Sequence, residues 1–153
     1  MLTGEFYDKI LRLSKHPSNY GCLDTPSIEA IEENPVCGDR IKLQLKISSN
    51  IISDASFDGH GCAICLASAS IMTDLVKGLS LNDATELFSD FKSSMTTENC
   101  LAGFPTLNVL IQVKQYPIRV KCVLMAWQAL SACLQAAEHF DCKDGPTNPD
   151  GTS

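Results

Sequence analysis

Three cysteines and one aspartate hold the reactive chemistry of this chain. Cys37 and Asp39 sit in Cys37-Gly38-Asp39, Cys62 in Gly61-Cys62-Ala63, and Cys122 in Lys121-Cys122-Val123. Soft thiolates joined by one harder carboxylate suit a four-ligand shell for zinc, or for iron with sulfide. Zinc in such a shell is tetrahedral and redox-inert. A thiolate released from it is a nucleophile that can accept sulfur from a persulfide. Gly38 permits a turn that lets two side chains only two residues apart face one ion. Cys62 immediately precedes a predicted helix, whose first backbone N–H groups favour a thiolate. Cys122 is read in the first turn of the last helix, in the same kind of field. Each motif alone also fits a surface cysteine or a turn aspartate, whereas the three together point to one shared site.

Neighbouring residues bear on that site differently. His60 is free to ligate, donate a proton or face water, but the four-ligand set is complete without it. Cys65 follows Cys62 at Cys-x-x-Cys spacing, which serves a redox pair or half a zinc site. One helical turn on, it points either toward the site or into the core. Cys133, eleven residues beyond Cys122, is expected to pack. Cys22, Cys100 and Cys142 carry no spacing argument. Trp127 falls on an apolar stripe and belongs to the core.

These groups must be positioned by an α+β domain, a small antiparallel sheet of about three strands packed against several helices. Glu5–Leu13 is predicted as a short amphipathic helix with Phe6, Ile10 and Leu13 on one side, and residues 15–21 as an extended, turn-rich segment. Ile28–Asn34 reads as an edge strand. Ile41–Ile47 alternates apolar and polar residues at period two, as a half-buried strand does. Ser48-Ser49-Asn50 turns the chain, and Ile51–Phe57 returns antiparallel with Ile52, Ala55 and Phe57 inward. Asp58-Gly59-His60-Gly61 is expected to end that strand. Ala63–Lys77 is predicted helical, with small Ala67, Ser68, Ala69 and Ser70 allowing close approach. A further helix begins near Ser80, with Asp83 three residues on as a weak capping signal, and runs to about Ser94. Thr96–Phe104 reads as a loop, and Leu107–Val113 fits helix or strand. Arg119–His139 has apolar Val123, Trp127, Leu130, Leu134 and Ala137 at helical spacing. Residues 1–142 form one domain in this reading, and 143–153 a flexible tail.

With 153 residues the chain can bury a real core. Its formal charge of −6 argues against phosphate-backbone binding, so nucleic acid is not an expected partner. Arg40 with Lys42, and Lys114 with Arg119 and Lys121, leave room for local basic patches. No 18-residue uncharged apolar run occurs, so no membrane-spanning helix is expected. The N-terminus lacks the basic head and apolar stretch of a secretory signal, and the expected location is the cytoplasm. Eight cysteines would permit a disulfide framework on count alone, but a chain of this length depends less on such staples.

The motifs, taken in order, resemble those of iron–sulfur assembly proteins of the IscU and SufU type. Asn34-Pro35-Val36-Cys37-Gly38-Asp39 resembles their first cysteine motif. Phe57-Asp58-Gly59-His60-Gly61-Cys62-Ala63-Ile64 with Ala67-Ser68-Ala69-Ser70 resembles the second, and Arg119-Val120-Lys121-Cys122-Val123-Leu124-Met125-Ala126-Trp127 the third. The likeness spans Phe6 to Ala137. It implies an α+β scaffold fold and a pyridoxal-phosphate-dependent cysteine desulfurase as partner. IscU-type chains usually have His before the last motif cysteine, where this chain has Lys121. That residue, Trp127 and the longer Leu81–Tyr116 connection resemble the SufU branch. The resemblance implies zinc on Cys37, Asp39, Cys62 and Cys122, with Cys37 as the persulfide-accepting residue, freed when a desulfurase histidine takes its place. It implies a sulfurtransferase role, passing sulfur to a downstream scaffold or apo-acceptor protein. The alternatives are a scaffold for a transient [2Fe-2S] cluster and a zinc-stabilised adaptor that transfers no sulfur. Two departures stand out: Thr96–Tyr116 does not closely match the glutamate- and glycine-rich insertion common in the branch, and Cys65 stands where Ser is frequent.

Overall fold

A computed structural model describes residues 4–35, 38–96, 107 and 110–143. Helix α1, Gly4–Lys15, buries Ile10, half-buries Leu13, and lies against the next helix of the chain. Arg12 and Lys15 in its last turn complement the negative end of the helix dipole. The Phe6 side chain lies outside what is described.

Strands β1 (Ile28–Asn34), β2 (Asp39–Ser48) and β3 (Ile51–His60) form one antiparallel sheet in the order β1-β2-β3. The β1–β2 register runs from Ile28 opposite Leu45 to Asn34 opposite Asp39. Between β2 and β3, Ser49 and Asn50 adopt φ of 53° and 64°. Two successive left-handed residues match the right-handed twist of a hairpin. Ile41, Leu43 and Leu45 of β2 and Ile52, Ala55 and Phe57 of β3 are buried. The segment around Asn19–Gly21 lies along β3, with Gly21 N–H donating to the Phe57 carbonyl (2.8 Å) and Phe57 N–H to that of Asn19 (3.0 Å). It thereby covers backbone groups that an open strand edge would expose.

The expected end of β3 at Phe57 is corrected, since the strand continues to His60. Gly59 lies within it at φ 140°, opposite Ile41, and the Arg40 carbonyl occupies the space a Cβ would take. Glycine here marks a close approach of two backbones, not a strand terminus.

Helix α2, Ala63–Val76, is buried over most of its surface, including Ala67, Ser68, Ala69 and Ser70. Helix α3, Leu81–Thr96, begins where the Asp83 N–H donates to Ser80 Oγ (3.0 Å), the expected cap. The loop expected from Thr96 onward lies outside the described residues over 97–106. In the ambiguous 107–113 stretch, Leu107, Leu110, Ile111 and Val113 are buried, and a 3-10 turn, Gln112–Gln115, follows. Helix α4, Pro117–Lys143, packs against β1, β2, α2 and α3. Its start is two residues earlier than expected because Pro117 supplies a preset helical φ at a position needing no N–H. The expected tail lies outside the described residues from 144 onward.

The absence of an unbroken apolar run understates α4. By length and composition, Pro117–Ala137 is apolar enough to cross a membrane. In this fold its inner face is buried inside the protein, where Val123, Trp127, Leu130, Leu134 and Ala137 build the core.

Candidate metal centre

Three elements end at one place. Asp39 is the first residue of β2, and strand alternation puts it on the same face as Ile41, Leu43 and Leu45. Its carboxylate is therefore carried to the core face and is only 7% exposed. Cys62 is the N-cap of α2, with extended backbone (φ −73°, ψ 167°) and Sγ accepting a hydrogen bond from Cys65 N–H at 3.4 Å. Cys122 lies on α4 at the same level and is buried. One ligand atom from each of Asp39, Cys62 and Cys122 falls within 4.8 Å of the others. Cys122 Sγ stands 3.9 Å from Asp39 Oδ2.

This donor set fits zinc. Bonds of ~2.3 Å to sulfur and ~2.0–2.2 Å to oxygen imply donor–donor edges of roughly 3.5–3.8 Å in a tetrahedron. The Cys122–Asp39 separation is already close to that. Two thiols and a carboxylate are donor types that zinc and iron share.

Cys37 lies outside the described residues. The described chain on either side, Pro35 and Gly38, belongs to the β1–β2 hairpin, where Gly38 takes φ 79° and its N–H donates to the Asn34 carbonyl (2.8 Å). Gly38 thus performs the turn expected of it immediately before Asp39. The placement of Cys122 corrects one expectation. With α4 beginning at Pro117, Cys122 sits in the second turn, beyond the range over which a helix terminus acts strongly. Cys62 keeps its position at a helix start.

His60 is exposed at the end of β3, outside the converging group. Cys65 is fully buried and outside that group, yet close to it. A Cβ built on Gly61 would meet Cys65 Sγ at 3.1 Å and the Asp39 carboxylate at 3.1–3.2 Å. Sulfur and carboxylate thus close in on the face of Gly61 more tightly than a methyl group there would allow. Cys133 is buried in the core as expected, and burial pushes its thiol up to about 12, which keeps it protonated and unreactive. Cys22, for which the sequence offered no argument, is exposed and donates from Sγ to Asp58 Oδ2 (3.4 Å), which raises its pKa. Among the described residues Cys22, Cys62, Cys65, Cys122 and Cys133 are in no disulfide. Cys100 and the Cys142 side chain lie outside what is described.

The centre opens into a cleft of about 660 Å³ between the β1–β2 hairpin and the start of α4. Asp39, Cys62 and Cys122 line it together with acidic Glu32 and Glu33 and basic Arg119 and Lys121. Sequence reading missed Glu32 and Gln128 as cleft residues. Period-two alternation from Ile28 and Ala30 would have put Glu32 on the inward face, whereas exposed Gln128 gives no such signal. Glu33 is paired with Arg40 (3.3 Å) at the rim.

Behind the centre, Ser68 joins α2 to α4. Its Oγ donates to the Val123 carbonyl (2.7 Å) and accepts from Trp127 Nε1 (3.1 Å). Val123 adjoins Cys122, so this buried pair of bonds sets the height of the Cys122 helix relative to the Cys62 helix. Trp127 also stacks on Phe91 of α3, with ring centroids 4.3 Å apart.

The chain is similar to known proteins over most of its length. The family model for the NifU-like N-terminal domain matches residues 5–141. The zinc-dependent sulfurtransferase SufU of Bacillus subtilis is 38% identical over 119 residues, covering 76% of this chain and 80% of that protein. The iron–sulfur cluster assembly scaffold protein IscU of Thermotoga maritima is 31% identical over 131 residues, covering 85% and 92%. A crystal structure described as an iron–sulfur cluster assembly scaffold protein for the SUF system, from Fervidobacterium islandicum, superposes with a TM-score of 0.78 at 30% identity. That match covers 86% of this chain and 98% of the other.

Proposed function

The chain belongs to the NifU-like N-terminal domain family of iron–sulfur cluster assembly, and on that premise we propose that it is a zinc-dependent sulfur acceptor and relay. In this reading Cys37, Asp39, Cys62 and Cys122 hold the metal. Bound zinc supplies a redox-inert Lewis acid that keeps the thiolates deprotonated and protected from oxidation. The observation that carries the proposal is the convergence of Asp39, Cys62 and Cys122 at the wall of an open cleft. A purely structural zinc site would be closed. The similarity to a protein named a zinc-dependent sulfurtransferase supports the same choice.

The transfer is a thiol–disulfide-type exchange. The Cys37 thiolate attacks the outer sulfur of a persulfide on the partner, a pyridoxal-phosphate-dependent cysteine desulfurase. The sulfur–sulfur bond of that persulfide breaks, the desulfurase cysteine leaves as thiolate, and Cys37 becomes the persulfide. The sulfur then passes to a downstream scaffold or apo-acceptor protein. A reducing compartment such as the cytoplasm keeps these thiols available.

Mass spectrometry of the zinc-loaded protein after anaerobic incubation with desulfurase and cysteine tests this. The expected product is a one-sulfur adduct on Cys37, absent in Cys37→Ser. If no cysteine carries the adduct, the relay is wrong. The second reading, a scaffold for a transient [2Fe-2S] cluster, is favoured by the likeness to a protein named an IscU scaffold and by a donor set that suits iron equally.

A further inference from the structure

We propose that Cys62 and Cys65 form a dithiol–disulfide pair that closes at the mouth of α2 when Cys62 is not engaged, with a low-molecular-weight disulfide as oxidant. This goes beyond sulfur relay and does not depend on Cys37.

The pair is built by the start of α2. Cys62 is the N-cap and its carbonyl accepts the first helical bond, from Leu66 N–H at 3.1 Å. Cys65 is the third residue of the helix, and its backbone N–H points at Cys62 Sγ. Residues three apart on a helix have Cβ atoms about 5–6 Å from one another. A disulfide asks for Cβ atoms about 3.5–4.5 Å apart, so closure needs a shift of roughly 1–2 Å at the flexible N-cap side. Gly61 puts no side chain in the way of it. Its own φ lies outside the left-handed region, and what its missing side chain provides is space beside Cys65 Sγ and the Asp39 carboxylate.

The two sulfurs differ in access. Cys62 is half-buried and lines the cleft, whereas Cys65 is fully buried behind it. Cys62 is therefore the thiol an external reagent meets, and Cys65 the one that resolves. In the first step the Cys62 thiolate attacks the oxidant's sulfur–sulfur bond, giving a mixed disulfide and one free reagent thiolate. In the second, Cys65 attacks Cys62 Sγ, its proton passing to the departing reagent thiolate. The protein loses two electrons and two hydrogens, and the reagent is reduced to two thiols. Closure removes Cys62 from the converging donor group, so the oxidised chain is unable to assemble that group until a thiol reductant reopens it.

The experiment treats the metal-free and the zinc-loaded full chain with oxidised glutathione, alkylates the remaining thiols, and maps the peptides by mass spectrometry. In the metal-free protein, the peptide holding Cys62 and Cys65 is expected two hydrogens lighter and unalkylated. Cys65→Ser is expected to stop at a stable glutathione adduct on Cys62. A persistent glutathione adduct on Cys62 in the native sequence, two alkylated cysteines, or Cys62 linked to a cysteine other than Cys65 would each overturn the pair. Zinc is expected to slow closure at least tenfold. Equal closure with and without zinc would support the pair while overturning Cys62 as a zinc ligand, so the two readings fail separately.

Discussion

At the scale of single residues, the centre depends on what is absent at position 61 as much as on its converging side chains. Gly61 has no conformational need to be glycine, yet a Cβ there would press on Asp39 and Cys65 at 3.1 Å. Such a contact is tight enough that the carboxylate must move by a few tenths of an ångström. Groups that orient metal ligands are worth roughly 10–100-fold in affinity. Gly61→Ala is therefore expected to keep the fold by circular dichroism and to weaken zinc binding by about that factor, measured by competition with a chromophoric chelator. Unchanged affinity would mean that Asp39 does not ligate. Asp39 itself was more legible than its motif suggested. The period-two pattern of Ile41, Leu43 and Leu45, extended back by one step, puts residue 39 on the buried face. Read only as part of a turn, it looks exposed.

At the scale of elements, periodicity made most of the fold legible, because each strand and helix buries one regular face. β1 spans Ile28–Asn34 as expected, and the apolar stripe of α4 from Val123 to Ala137 is buried throughout. The misreadings fall where glycine and proline have two meanings. Gly59 marks a backbone crossing inside β3 where its type suggested a break, and Pro117 starts α4 where the apolar pattern suggested a later residue. The meeting of residues 39, 62 and 122 was not visible in any spacing, because no local pattern encodes contacts between segments that distant. It was read from the shared chemistry of the motifs and their settings, a glycine turn and two helix starts, and the resemblance implied the same group. What holds α2 and α4 in register is equally non-local: Ser68, bonded to Val123 and Trp127. Ser68→Ala leaves the buried indole N–H without that acceptor, a loss of ~1–3 kcal/mol. The midpoint of urea unfolding of the metal-free protein is expected to fall accordingly, with an unchanged denaturant slope. A shift below about 0.3 kcal/mol would show that the indole finds another acceptor, and that the register of the helices bearing Cys62 and Cys122 does not rest on Ser68.

For the molecule as a whole, an ion at the centre would tie together parts of the chain otherwise joined by apolar packing and by the Ser68 hydrogen bonds. Asp39 opens β2, Cys62 opens α2, and Cys122 stands on α4, so one ion held by them would fasten the sheet and two core helices at a single point. A ligand that binds the folded chain and not the unfolded one stabilises it by mass action, ~2.7 kcal/mol at a free concentration a hundred times the dissociation constant. For a chain of this size each kcal/mol moves the melting temperature by about 2–4 °C. Stripping zinc with a chelator is thus expected to lower the melting temperature by roughly 5–10 °C, with the helical signal at low temperature retained, because Trp127, Phe91, Phe57 and the β2 leucines bury a core that does not include the ion. Cys62→Ser is expected to melt near the metal-free value whether or not zinc is added. Its N-cap hydroxyl still accepts from the start of α2, so the loss would belong to the metal and not to the helix. If the stripped protein instead lost its helical signal at low temperature, the metal would be a condition of folding, and the apolar core assigned here to the sheet and α4 would be insufficient on its own.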